Sequence, residues 1–427
     1  MDTIYAVASG GSVAGVCIVR VSGPRAKQVA LKLMPGKKLP PRSPVVRRLF
    51  DSGGELIDIA LVVFFERGRS FTGQETVELN IHGSPAIISK LLSEIGKFPG
   101  TRAAQAGEFT RLALEYGNLD LTQVEGLGQL LVAETEEQRR QAMRVFDRGI
   151  GKLVDNWRKS LIKAASTLEV AIDFSDEDID LDWAEMFHAP LRMVLDEINA
   201  EIEGQQVRKS VSSGFEVALV GATNVGKSTL LNALAGREVA ITSSIAGTTR
   251  DVIEVRMNLG GYLVSFLDTA GLRETEDDIE KIGMSAGRRR AENADLRVVL
   301  LENPGDSAPT VLDTDDIVLV GKMDRWPNMV GGVSGQTGQG VSQLVERITK
   351  ILSGRVHGQG VIVSDRQAAA LSDAAKVLKN VVNVPVSEPE LVAMDVALVI
   401  DSLDCLIGRV DVEDYLDEVF SSFCIGK

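Results

Sequence analysis

The eight residues Gly221-Ala222-Thr223-Asn224-Val225-Gly226-Lys227-Ser228 fit the spacing GxxxxGKS, between an apolar run at 217–220 and a helix-like stretch at 228–235. A strand, a glycine-rich turn and a helix in that order aim several backbone N–H groups at one point beside a helix N-terminus, a position that favours an anion. The pattern commits this part of the chain to an α/β architecture with a phosphate-binding loop. Lys227 is placed to reach the β- and γ-phosphates and the Ser228 hydroxyl to face Mg²⁺, with Asn224, Val225, Gly226 and Thr229 in the same contacting run.

The parts of a nucleotide switch follow in order. Gly247-Thr248-Thr249-Arg250-Asp251 places Thr249 to complete the Mg²⁺ shell when a γ-phosphate is present. A buried strand over 264–267 then runs into Asp268-Thr269-Ala270-Gly271. Asp268 can hold a Mg²⁺-bound water and the Gly271 N–H can sense the γ-phosphate, so hydrolysis releases both segments. The position after Gly271 is Leu272, which has no polar group to orient the attacking water; the acidic stretch 274–280 holds several carboxylates among which spacing does not choose.

Base recognition falls to Gly321-Lys322-Met323-Asp324, after a strand at 317–320, where GTPases usually carry Asn-Lys-x-Asp. Asp324 can accept from guanine N1–H and the 2-amino group, and adenine offers neither donor in that geometry. Gly321 forfeits the side-chain bonds of an asparagine, so Gly321→Asn is expected to tighten GDP binding. Ser334-Gly335-Gln336 stands where the last nucleotide-contacting loop belongs, with Gly335 in place of the common alanine.

The remainder of the 427 residues is bounded by composition. The balance of 46 basic against 60 acidic residues, a net −14, excludes a broad electrostatic grip on nucleic acid and leaves any RNA contact to a local patch. Arg139, Arg140, Arg144 and Arg148 near helical spacing, and Arg288-Arg289-Arg290, are candidates, with a solvated face as the competing reading. Three widely spaced cysteines, Cys17, Cys405 and Cys424, exclude a disulfide framework or a four-cysteine zinc site within one chain. His82, His188 and His357 have no metal-ligand spacing. The N-terminus lacks a signal-peptide pattern and no apolar run approaches membrane-spanning length, so a soluble, cytoplasmic protein with no membrane partner is expected.

The expected fold is multidomain α/β. Residues 1–118 mix β-like runs at 16–21, 59–65 and 76–81 with turns, as an α+β domain does. From about 121 the period becomes helical, with Val124, Leu127 and Leu131 on one face, and it persists to about 207 with an acidic junction at 173–182. Residues 213–353 alternate strands and helices as a doubly wound, Ras-like P-loop domain requires. Helical spacing returns beyond 360: Val392, Val396, Val399, Leu403 and Leu406 lead to a C′ residue at Gly408, and Asp411 or Asp414 can cap a last helix. The domains are thus 1–118, helical 119–212, nucleotide-binding 213–353 and helical 354–427, the third inserted into the helical domain.

With these landmarks the chain resembles, over essentially its full length, the MnmE (TrmE) family of tRNA modification GTPases. The resemblance rests on the nucleotide motifs together with Val19-Arg20-Val21-Ser22-Gly23, Ser70-Phe71-Thr72-Gly73, His82-Gly83, Gly107-Glu108-Phe109-Thr110, Leu119-Asp120-Leu121-Thr122-Gln123, Asp173-Phe174 and Cys424-Ile425-Gly426-Lys427. It implies a homodimer formed through a tetrahydrofolate-binding N-terminal domain. It also implies a flavin-dependent partner, MnmG (GidA), and a tRNA whose wobble uridine receives an aminomethyl-type group at C5, the one-carbon unit coming from a 5-formyl- or methylene-tetrahydrofolate. It implies GTP/GDP, Mg²⁺ and K⁺ as ligands. Asn224 becomes a K⁺ ligand, joined by Ser243, Ile245 and Thr248, with Ser244, Ala246 and Gly247 in the same nucleotide-contacting run. Glu280 becomes the residue that positions the hydrolytic water, beside Lys227 and Thr249 as catalytic groups. Arg20, Glu78 and Lys427 become folate-binding, with Asn118 where the family carries a lysine, and Cys424 lies near that region. Two other readings compete: a regulatory or ribosome-assembly GTPase with no one-carbon chemistry, and a degenerate GTPase kept as a scaffold.

Overall fold

The computed structural model describes residues 2–10, 13–147, 149–173, 184–237, 254–268, 290, 292–308, 312–326, 331–356, 360–383, 389–408, 420, 423 and 426. They form two compact units, one of Met1–Gly128, Gly151–Val154 and Leu403–Lys427, the other of Gln129–Ile150 and Asp155–Ser402.

The first unit is built on six strands: β1 (Thr3–Val7), β2 (Ala14–Ser22), β3 (Val45–Phe50), β4 (Leu56–Phe65), β5 (Thr76–Gly83) and β6 (Thr101–Ala103), in the order β3-β4-β5-β2-β1-β6. Strand β4 shows why the sheet is one-sided: Ala60, Val62 and Phe64 point to the core, while Ile59 and Leu61, on alternate positions, stay exposed. Helices Ala26–Leu33 and Pro85–Gly96 cover the inner face, burying Val29, Leu33, Leu91 and Ile95 against Val19, Val21, Val62 and Leu79. Arg20 and Glu78, on alternate positions of β2 and β5, are therefore on the opposite face, and the antiparallel register sets them directly across from each other.

Several residues that carry the family resemblance are architectural. Gly73 (φ +78°) lies against the Tyr116 side chain and Gly83 against the Ala14 carbonyl, each too close for a Cβ. Asp120 and Gln123 form reciprocal bonds at the start of helix Leu121–Val132: Asp120 Oδ1 accepts from the Gln123 N–H at 2.8 Å, and Gln123 Oε1 from the Asp120 N–H at 3.0 Å. Val124 and Leu127 on that helix are buried as the periodicity requires, whereas Leu131 is exposed and the apolar face ends a turn early.

In the second unit, β7 (Phe215–Gly221), β8 (Glu254–Leu259), β9 (Tyr262–Asp268), β10 (Leu296–Leu301) and β11 (Ile317–Val320) make a sheet in the order β11-β10-β7-β9-β8, parallel except for β8. The buried strands read as largely apolar runs, as strands covered on both faces do, interrupted by Ser265 in β9 and Arg297 in β10. Strand β7 is central, with β9 on one side and β10 on the other. Its C-terminal end is the switch point where doubly wound sheets hold ligands. Helices Glu136–Phe146, Ala189–Ile202, Gln205–Ser213, Asp365–Asn383 and much of Gly149–Asp173 and Pro389–Leu406 belong to the same unit. Val396, Val399, Leu403 and Leu406 are fully buried, and Gly408 takes φ +77°. The acidic junction beyond Asp173 and the last helix around Asp411 and Asp414 lie outside the described residues.

Candidate functional site

The phosphate loop leaves β7 at Gly221, whose α-carbon lies so close to the Leu300 carbonyl of β10 that a Cβ would collide with it. Asn224 (φ +64°) and Gly226 (φ +112°) turn the chain into helix Lys227–Ala235. The Lys227 ammonium folds back and donates to the carbonyl oxygens of Gly221 and Ala222, both at 2.7 Å. Burial pushes its pKa down, opposed by the nearby Asp268 carboxylate. Ser228 Oγ donates to Asp268 Oδ2 at 2.6 Å, bringing together two hard oxygen donors from the helix and the end of β9. That pair is of the chemical type Mg²⁺ prefers.

The base-recognition residues converge on the same end of the sheet. One cleft is lined by Gly226 and Thr229 of the phosphate loop and helix, Gly321, Lys322 and Asp324 after β11, and Ser334, Gly335 and Gln336. Lys322 takes φ +52°, and the Ser334 hydroxyl donates to Asp324 Oδ1 at 2.5 Å, fixing the carboxylate. The two departures from the usual GTPase pattern have one geometric basis. A Cβ on Gly321 would strike the Val225 carbonyl, and one on Gly335 would strike the backbone of Thr229 and Leu230. Both loops therefore approach the phosphate loop and its helix more closely than a side-chain-bearing residue permits. This corrects the expectation for Gly321→Asn: an asparagine has no room unless the phosphate loop moves.

In the first unit Arg20 donates to Glu78 Oε1 from Nε at 3.1 Å and from Nη2 at 2.9 Å, and its guanidinium lies 5.3 Å from the Phe71 ring and 5.4 Å from the Phe109 ring. Asn118 is occupied structurally: its Nδ2 donates to the carbonyls of Ser70 and Phe71, each at 3.1 Å. The last described residue of the tail, Gly426 (φ +106°), packs against the Val7 carbonyl of β1, the strand that pairs Ala6 with Arg20.

Ser243, Ser244, Ile245, Ala246, Gly247, Thr248, Thr249, Thr269, Ala270, Gly271, Glu280, Cys424 and Lys427 lie outside the described residues, as do Leu272 and Arg148. The arginine patch loses weight as an RNA contact. Arg139 and Arg140 both bond Glu136 at 2.9 Å, Arg140 also bonds Glu137 at 2.8 Å, and the Arg139 guanidinium foremost holds the Glu136 carboxyl at about 2. Arg290 pairs with Glu216. Sequence reasoning missed the Asp58–His82 pair, in which Asp58 accepts from the His82 N–H at 2.8 Å and lies 2.8 Å from its Nδ1; β4 and β5 bring the two together from 24 positions apart.

A glycine-rich loop at the switch point of a parallel sheet, a serine–aspartate oxygen pair beside it and a fixed carboxylate in the adjoining cleft define a P-loop nucleotide hydrolase of the GTPase type. Residues 3–118 match the family model described as GTP-binding protein TrmE N-terminus, and residues 121–424 match that of the MnmE helical domain. Proteins named tRNA modification GTPase MnmE from Cereibacter sphaeroides and Roseobacter denitrificans are each 47% identical over 430 residues, covering all of both chains. The one from Azorhizobium caulinodans is 42% identical over 434 residues, covering all of this chain and 99% of its own. The chain belongs to the MnmE (TrmE) family.

Proposed function

We propose that this protein hydrolyses GTP as the nucleotide-driven component of tRNA wobble-uridine C5 modification, acting with a flavin-dependent MnmG-type partner and a reduced folate. The observation that carries the reading is the convergence of Lys227, Ser228, Asp268 and Asp324 on one end of the sheet. On nucleotide binding the Lys227 ammonium exchanges the Gly221 and Ala222 carbonyls for phosphate oxygens. Asp324, held by Ser334, accepts from the guanine edge. Ser228 and Asp268 would hold Mg²⁺, which neutralises charge developing on the phosphates. Asn224 would present its side-chain carbonyl to K⁺, with Ser243, Ile245 and Thr248 as further ligands, Thr249 would complete the Mg²⁺ shell, and Glu280 would position the hydrolytic water.

Arg20 and Glu78 are read as the folate-binding pair, with Lys427 reaching them from the tail. A carboxylate suits the donor edge of a pterin, and a cation between two aromatic rings suits a planar, anionic ligand. The homodimer reading is supported by the open face of the N-terminal sheet, where Val16 (60% exposed), Val46 (64%), Ile59 (45%) and Leu61 (42%) face solvent and Val46 stands across from Leu61. The domain bounds 1–118, 119–212, 213–353 and 354–427 belong to this reading, as does a cytoplasmic location; among the described residues no helix is long and apolar enough to cross a membrane.

The test is biochemical. Purified protein is expected to hydrolyse GTP faster in KCl than in NaCl at matched ionic strength and to bind 5-formyl-tetrahydrofolate by calorimetry. Loss of the folate heat in an Arg20→Ala variant with hydrolysis intact separates the two sites. GTP turnover without folate binding in the wild type favours the regulatory GTPase instead.

A further inference from the structure

The two predicted switch segments are joined by one structural element, the β8–β9 hairpin: β8 begins just after the first switch and β9 ends at Asp268, where the second begins. Its turn, Gly260-Gly261, lies at the far end of the sheet from the phosphate loop, and what it touches there is the first turn of helix Glu136–Phe146. The Glu137 N–H donates to the Gly261 carbonyl at 3.2 Å, and Arg256 of β8 pairs with Glu134 at 3.0 Å. Gly261 (φ +94°) lies within contact distance of the Glu137 side chain, and on the other side of the turn Gly260 lies close to Thr349 of helix Val341–Arg355, by which the chain leaves the sheet.

The helix end that receives the hairpin is capped and tied to its surroundings. Thr135 and Gln138 close a capping box there, and Gln138 Nε2 donates to the Ser212 carbonyl at 2.9 Å, just before β7. From the same helix Gln141 reaches the Gly360 carbonyl at 3.4 Å. Helix 136–146 thus holds the hairpin, the chain entering the sheet and the chain leaving it.

We infer that this contact, Gly261 and Arg256 against Glu134 and Glu137, is the joint through which the nucleotide state of the switches is passed to the helical domain. The inference rests on the GTPase reading above. A change of switch position acts on the start of β8 and the end of β9, and because the two strands are joined at their other ends by a two-residue turn, the displacement leaves the sheet at one point. That point bears on the capped end of helix 136–146. None of the four is itself a predicted nucleotide ligand, so they act as positioning residues.

The test uses full-length protein. Hydrogen exchange of the 136–146 amides is compared in GDP and in a non-hydrolysable GTP analogue for the wild type, Arg256→Glu, Glu134→Arg and the double swap. The wild type is expected to show protection that differs between the two nucleotides. Each single variant places like charges together and is expected to reduce that difference and the tRNA modification rate roughly fivefold, with GTP turnover within about twofold of the wild type. The double swap is expected to restore both. State-independent protection in a wild type that hydrolyses GTP overturns the joint, as does an unchanged difference in both single variants. A wild type that does not hydrolyse GTP contradicts the functional reading instead.

Discussion

The nucleotide end of the second unit and the Arg20–Glu78 face of the first are both polar sites on β-sheets, but they are assembled in opposite ways. The phosphate loop is one contiguous stretch whose geometry is set by Gly221, Asn224 and Gly226, and its charged group, Lys227, is parked on backbone carbonyls that a phosphate can replace. Arg20 and Glu78 are 58 positions apart, meet only through the register of β2 and β5, and satisfy each other. A ligand at the first site exchanges weak backbone partners for strong ones. A ligand at the proposed second site has to open or extend an ion pair that is already formed.

The largest test of this contrast is Lys227→Ala, expected to lower GTP turnover by about 10²–10³-fold through loss of charge at the developing phosphate oxygens, while folate binding is unchanged. Next is Asp324→Asn: removing an ionised acceptor is expected to cost about 2–3 kcal/mol of GDP affinity and the preference for GDP over ADP, read by competition titration. Arg20→Leu leaves Glu78 without its partner and is expected to lower stability by about 1–2 kcal/mol in thermal unfolding and to abolish folate binding, with GTP turnover intact. Smallest is Gly321→Asn, expected to weaken GDP binding by about 1 kcal/mol, since the new side chain meets the Val225 carbonyl. Tighter binding in that variant shows that the phosphate loop yields easily and that the close approach is not a constraint.

The same contrast explains what was legible in the sequence. The phosphate loop, the strand before it and Asp268 could be read directly, because a contiguous motif carries its own geometry. Helix Pro389–Leu406 was legible from its apolar period for the same reason. The cross-strand pairings were not: nothing local ties Asp58 to His82, and the order β3-β4-β5-β2-β1-β6 follows no sequence period. Gly321 looked like a lost asparagine because the sequence shows what a residue lacks and not what occupies its space. Gly73, Gly83, Asp120 and Gln123 mark the family in the sequence, and the structure shows what they do: they serve turns, close approaches and a helix cap.

GTP hydrolysis at Lys227 is expected to drive tRNA modification. It is tested most directly by mass spectrometry of wobble uridines from a strain lacking this protein, complemented with the wild type or with Lys227→Ala. The predicted result is loss of aminomethyl-type C5 groups in the deleted strain, restoration by the wild type and no restoration by Lys227→Ala. Full restoration by Lys227→Ala, or unaltered wobble uridines in the deleted strain, would contradict it.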